Sequence, residues 1–230
     1  MKIPPVIIIL GPPSSGKGTQ SQLISEKFNF YYFETSRIIV SKLEGARKND
    51  FVLVNGKKYF LLEEKRMREK GELMSPPLIT FWVKERIKEL AKEKKPIVFS
   101  GSPRTLYEGE EIIPFLRKLY GKNKILVLIL ELSEKETIFR GTKRRTCILM
   151  RHPILHSKET VKLERCPIDG SKLEVRKDDT PEAIKVRIKE YQERTLPLIN
   201  YFKKEKLKIK KINGEQSVEK VFNDILNALK

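Results

Sequence analysis

Gly11-Pro12-Pro13-Ser14-Ser15-Gly16-Lys17-Gly18-Thr19 is the stretch from which the rest of the chain can be read. An apolar pentad, Val6-Ile7-Ile8-Ile9-Leu10, precedes it, and a helix-compatible segment, residues 20–28, comes after it. Strand, glycine-framed loop and helix in that order make a phosphate-binding loop. Main-chain N–H groups of such a loop and the positive end of the helix converge on one small volume, where an anion satisfies them. Glycine lets the backbone curl that tightly, and Lys17 adds a mobile full charge over the outer phosphates. The usual loop has Ser or Thr directly after its lysine. Here Gly18 stands there, with Thr19 next.

Along the rest of the chain, short apolar runs alternate with helical patterns. Residues 30–33, 96–100, 124–131 and 207–212 read as strands, and residues 78–93, 134–145 and 217–229 as helices, with a long helix from 180 to beyond 201. Ser36 is placed to cap a helix reaching Leu43, and a charged helix over 61–70 stops at Gly71. Between them residues 44–60 are irregular, with a strand and turn at Val52-Leu53-Val54-Asn55-Gly56-Lys57. The run 124–131 is almost unbroken in its hydrophobicity, as in a parallel sheet covered on both faces. The expected fold is α/β, a doubly wound parallel sheet of five strands. Ligands of such sheets collect at the carboxyl ends of the strands. Three polar turns fall at such ends: the phosphate loop, Thr35-Ser36-Arg37, and Gly101-Ser102-Pro103-Arg104.

Bulk composition narrows the alternatives. The 230 residues suffice for one sizeable core with small inserted lobes, and 34% charged with 39% hydrophobic residues mark a globular chain. The net charge of +18 admits nucleic acid, anionic membrane or polyphosphate partners. Many lysines, such as Lys88, Lys92, Lys94 and Lys95, sit on solvated helix faces, and no basic motif is interleaved with aromatics. No nucleic-acid partner is therefore expected. The longest apolar run, residues 125–130, is too short for a bilayer, and no targeting segment is evident, so a cytoplasmic protein is the expectation; a monomer is expected as well. Two cysteines make no disulfide framework.

Several pieces together carry a closer likeness: the GKGT ending at Thr19, Val83-Lys84-Glu85-Arg86-Ile87, Gly101-x-Pro103-Arg104-Thr105, Arg140 with Arg144-Arg145, Arg176-Lys177-Asp178-Asp179, and Arg187. In order and spacing the chain resembles the adenylate kinases, within the P-loop nucleoside monophosphate kinases, over nearly its whole length. The resemblance implies a core of residues 1–34, 75–144 and 176–230, a monophosphate-binding lobe over 35–74 and a lid over 145–175, both lobes mobile. It implies ATP with Mg2+ held by Gly11, Ser14, Ser15, Gly16, Lys17, Gly18 and Thr19, Arg140 against the ATP base, and Arg144 on its phosphates. Thr35, Met74, Gly101 and Arg104 would meet the acceptor, and Arg176 and Arg187 would bridge the two nucleotides. The implied catalytic set is Lys17, Arg104, Arg144, Arg176 and Arg187. Independently, guanidinium is the natural clamp for phosphate chains held in line, being planar, always ionised and bidentate.

The chain departs from that pattern at informative places. Ser100 replaces the acidic residue that normally holds metal-bound waters, which leaves Mg2+ placement open. Val40 stands where relatives have an acceptor-phosphate arginine, and Arg37 is the expected partial substitute. Glu108 replaces the glutamine that reads adenine; a carboxylate accepts from an exocyclic amine but cannot donate to a ring nitrogen. AMP is the expected acceptor, with CMP or UMP the alternative.

All cysteines and histidines fall within residues 147–166 of the lid segment. Some lids of the family hold zinc on paired Cys-x2-Cys or Cys-x2-Asp halves. Cys166-Pro167-Ile168-Asp169 keeps the second half, while Met150 occupies the place of the first half's second cysteine. Cys147, His152, Cys166 and Asp169 form the expected tetrahedral zinc set, with His156 the competing imidazole and two reduced thiols in an apolar lid the plain alternative. The expected activity is ATP + AMP ⇌ 2 ADP without a covalent intermediate. A nucleotide-binding regulator without turnover is the rival from another class.

Overall fold

The computed structural model describes residues 3–150, 152–175 and 179–230. The apolar pentad forms β1 (Val6–Leu10), the phosphate loop turns the chain, and α1 (Lys17–Phe28) leads to β2 (Tyr31–Glu34). β2 hands over directly to α2 (Thr35–Leu43) with no intervening loop. The expected Ser36 cap is therefore corrected: Ser36 lies inside the first turn, and its hydroxyl donates to Glu34 Oε1 at 2.7 Å.

The irregular stretch 44–60 contains a hairpin, β3 (Phe51–Val54) with β4 (Lys57–Phe60). Asn55 and Gly56, both at positive φ, form its two-residue turn, the geometry that matches the twist of paired strands. α3 (Leu61–Glu69) and α4 (Pro76–Lys92) come next, the second opened by prolines that need no N–H there. Then come β5 (Ile97–Ser100), α5 (Leu106–Tyr120), β6 (Ile125–Glu131) and α6 (Glu134–Lys143).

Five parallel strands make the central sheet. Its order runs β2, β5, β1, β6 and finally β10 (Lys208–Asn213), so β1 sits in the middle with later strands on either side. The phosphate loop consequently leaves the sheet at the point where the winding reverses, which opens a crevice. Successive β1 side chains point to opposite faces, and both faces are apolar. Val6, Ile8 and Leu10 join one core with α4 and α5; Ile7 and Ile9 join another with α1 and α9 (Val218–Leu229). Each such isoleucine is fully buried, worth roughly 1.5–3 kcal/mol.

Residues 145–175 lack hydrophobic periodicity because their strands are only two or three residues long. β7 (Arg145–Cys147) pairs antiparallel with β8 (Pro153–Ile154) and β9 (Leu173–Glu174) around a small core of Cys147, Ile154, Cys166 and Leu173. The helix expected through 180–201 is interrupted. α7 (Pro181–Glu190) passes into a π turn, Tyr191–Thr195, where Leu196 N–H bonds back to the Tyr191 carbonyl, and α8 (Pro197–Lys204) resumes. One additional residue in that turn leaves the overall helical pattern readable but rotates α8 relative to α7.

Candidate active site

A cleft of about 420 Å3 opens at the carboxyl ends of β1, β2 and β5. One wall is the phosphate loop. Gly16 adopts φ 88 just before α1, and the loop's first helical residue is Lys17. Gly18 has a close neighbour: a Cβ there would lie 2.9 Å from the Tyr32 hydroxyl, so a larger residue requires the Tyr32 side chain to shift. Thr19, Ser14 and Ser15 also line the cleft. Gly11 lies at the back of the loop, beside Ser15 and the Leu130 carbonyl.

Lys17 Nζ donates to the carbonyls of Gly11 at 2.8 Å and Pro12 at 2.6 Å. It keeps some contact with solvent yet lies deep among protein groups. Burial first, then the nearby charges of Arg104, Arg187 and Arg144, hold its ammonium well below the ordinary lysine range. Four cations from distant parts of the chain thus converge on one volume. Asp179, whose side chain is fully buried, ties two of them: Arg144 by a two-pronged contact and Arg187 at 3.1 Å. Arg176 lies outside the described residues.

The opposite wall comes from the β2–α2 and β5–α5 turns. Thr35 is buried and lines the cleft, its hydroxyl has no hydrogen-bond partner among the described residues, and Gly101 lies beside it. Arg37, rather than Val40, is the arginine position of this turn that lines the cleft. Its Nε pairs with Glu34 at 2.6 Å, its guanidinium lies 5.8 Å from the Tyr32 ring centre, and it donates at 3.4 Å to the carbonyl of Met150. Met74 and Ile39 supply apolar lining nearby. Ser100 ends β5 at the cleft with a hydroxyl and no charge.

Glu108 also lines the cleft, but it is almost wholly buried and its oxygens are engaged within the protein. Oε2 accepts from Ser102 Oγ at 3.2 Å and the Arg104 N–H at 3.0 Å, and Oε1 from Thr105 Oγ1 at 3.3 Å. Burial pushes its carboxyl above the usual range despite those bonds. Thr105 in return accepts from the Glu108 N–H and so caps α5, while Glu108 reaches back past the cap to the Arg104 N–H. That Thr-x-x-Glu spacing is a legible signal in the sequence, and it competes with a base-reading role for Glu108.

On the far side, Arg140, Phe139 and His156 border the cleft. Arg140 is anchored by Glu136 at 2.6 Å and donates to the Gly214 carbonyl at 3.0 Å. His156 meets Phe139 edge to face on the cleft wall, and the gathered donor set holds His152 in its place. The ligand atoms of Cys147, His152, Cys166 and Asp169 all lie within 4.8 Å of one another. Cys147 Sγ is 3.0 Å from Asp169 Oδ2 and 3.5 Å from His152 Nδ1, which is equally 3.5 Å from Cys166 Sγ. Two thiols, an imidazole and a carboxylate gathered so closely are a donor set suited to zinc. Among the described residues, no helix is long and apolar enough to cross a membrane.

Comparison with known proteins agrees with this geometry. The family model described as adenylate kinase matches residues 9–207. The chain is 33% identical over 226 residues to an adenylate kinase of Clostridium botulinum (strain Loch Maree / Type A3), covering 97% of each chain. It is 34% identical over 230 residues to one of Clostridium kluyveri (strain ATCC 8527), again with 97% of each covered. A phosphate loop at the winding reversal, a fan of basic side chains facing it, and likeness along almost the entire length converge on one assignment: this chain belongs to the adenylate kinase family.

Proposed function

We propose that this protein carries out the reaction of its family, reversible transfer of the terminal phosphoryl group of ATP to AMP to give two ADP. The observation that carries the reading is the convergence of Lys17, Arg104, Arg144 and Arg187 on one cleft. So many cations in one partly buried volume repel one another, and phosphate chains are the ligands that relieve the repulsion. Phosphoryl transfer needs positioning and charge stabilisation more than covalent chemistry, which suits a site of this composition.

In this reading the loop from Gly11 to Thr19 and Lys17 hold the donor phosphates, and Arg140 with Phe139 flanks the donor base. Arg104 takes the acceptor phosphate. The buried, unpartnered Thr35 hydroxyl would gain its missing hydrogen bond from the acceptor nucleotide. Arg144, Arg187 and Arg176 stabilise charge on the phosphoryl group in transit. Mg2+ accompanies ATP and neutralises its tail; Ser100 can hold a metal-bound water there without adding charge. Residues 35–74 and 145–175 act as lobes that close to exclude water. Arg37 already reaches from the first of these segments to Met150 in the second.

Zinc held by Cys147, His152, Cys166 and Asp169 would bind together the 145–175 segment, whose buried apolar core among the described residues is four side chains. Its role there is structural. A panel of monophosphate acceptors with ATP tests the function. ADP formed fastest from AMP supports it; turnover confined to CMP or UMP reassigns the acceptor, and ATP hydrolysis without acceptor phosphorylation refutes it.

A further inference from the structure

The main chain of Arg104 is gripped at both polar groups by side chains from separate elements. Its N–H donates to Glu108 Oε2 at 3.0 Å, from the first turn of α5. Its carbonyl accepts from Thr195 Oγ1 at 2.7 Å, from the last residue of the π turn. Thr195 and Glu108 are both buried, so neither bond competes freely with water. Thr195 lies 91 positions away in sequence, and two features bring it there. The π turn rotates the chain just before α8. Gly109, next to Glu108, lets α8 approach: a Cβ at Gly109 would lie 2.5 Å from Leu198 Cδ2, closer than atoms can come. The same packing seats Thr195 over the turn that carries Arg104.

We infer that Thr195 is a positioning residue for phosphoryl transfer, and that together with Glu108 it fixes the main chain of Arg104 so that the guanidinium stays aimed into the cleft. A guanidinium on a long side chain places its charge no more accurately than the backbone beneath it is held. Loss of the 2.7 Å bond leaves a partly buried carbonyl without this donor and lets the 101–104 turn shift. Glu108 in this account acts through Arg104 rather than by reading a base. The inference rests on the assignment of Arg104 to the acceptor phosphate.

Thr195→Val and Thr195→Ser separate the hydroxyl from the packing. Valine keeps the shape and removes the donor; serine keeps the donor and removes a methyl group. With ATP and AMP as substrates, Thr195→Val is expected to raise the AMP KM about ten-fold while moving the ATP KM less than about two-fold. Thr195→Ser is expected to restore the AMP KM to within about two-fold of the unaltered protein. A purely structural role would reverse the order, with serine the worse variant, or raise both KM values together; either result overturns the inference. So does an AMP KM unchanged in Thr195→Val. Hydrogen exchange at the Arg104 amide gives a readout independent of turnover: protection falls in Thr195→Val and persists in Thr195→Ser. Were the unaltered protein to make no ADP from AMP, the functional assignment would fall, and equal protection in the two variants would sink the positioning role separately.

Discussion

Arg144 and Asp179 meet in a two-pronged contact: Nε donates to Oδ2 at 2.9 Å and Nη2 to Oδ1 at 2.6 Å. The Asp179 carboxylate is fully buried and also takes Arg187 Nη1 at 3.1 Å. One anion thus joins the end of α6 to the face of α7 and holds two cleft arginines at a fixed separation. Removing it would leave two guanidinium groups facing each other with reduced solvation. Asp179→Ala is expected to destabilise the protein by about 3–5 kcal/mol, as when one partner of a buried pair is deleted. Denaturant unfolding measures this, and a loss below about 1 kcal/mol would contradict the role.

Lys17 gives a pH dependence with a definite sign. Its folded-state pKa lies well below the ordinary value because of burial and the adjacent arginines. Between the lowered value and the ordinary lysine value, the unfolded chain binds a proton that the folded one lacks, so Lys17's contribution to stability rises with pH across that window. Phosphate binding reverses the bias by favouring the ammonium form. Titration calorimetry of ATP above neutral pH, in buffers of different ionisation enthalpy, is expected to reveal proton uptake, which is lost in Lys17→Met. Binding without proton uptake at any alkaline pH would count against the picture.

Gly18 and Tyr32 are coupled by contact. A Cβ at Gly18 would sit 2.9 Å from the Tyr32 hydroxyl. Gly18→Ala is expected to raise the ATP KM about ten-fold by pushing the loop off its geometry. Adding Tyr32→Phe, which takes away the crowding oxygen, is expected to recover most of that loss. Independent, additive effects in the double-mutant cycle would show that the two do not interact.

Zinc is expected at about one ion per chain in freshly purified protein. Cys147→Ser and Cys166→Ser should each abolish retention, and cobalt in its place should give thiolate absorption in the visible. Elemental analysis finding no zinc would remove the proposal.

How much of this was legible in the sequence depended on how local each feature is. The β1 pentad, the loop behind it and the run at 124–131 announced themselves because each is a contiguous pattern, and the parallel, doubly wound class came from the strand–helix alternation; the order of the strands is a tertiary fact. The 145–175 sheet was not legible, since strands of two or three residues carry no period. Its cysteines and histidines nevertheless pointed to the cluster that the fold assembles. The π turn hid inside an unbroken helical pattern because one inserted residue hardly alters composition. Asp179 was visible only as part of an Arg-Lys-Asp-Asp run; that it clamps Arg144, 35 positions earlier, is a tertiary fact. Thr195 had no signal at all: its partner is a backbone carbonyl, which any residue would supply.

The central claim is that one chain grasps two nucleotides with their phosphate tails facing each other across Lys17, Arg104, Arg144 and Arg187. Calorimetric titration with a dinucleoside pentaphosphate, two adenosines joined through five phosphates, tests it most directly. The predicted result is about one such molecule per chain, whose prior binding abolishes the heat of both ATP and AMP addition. A ligand that displaced ATP while leaving AMP binding intact, or a protein saturating with a single mononucleotide, would contradict it.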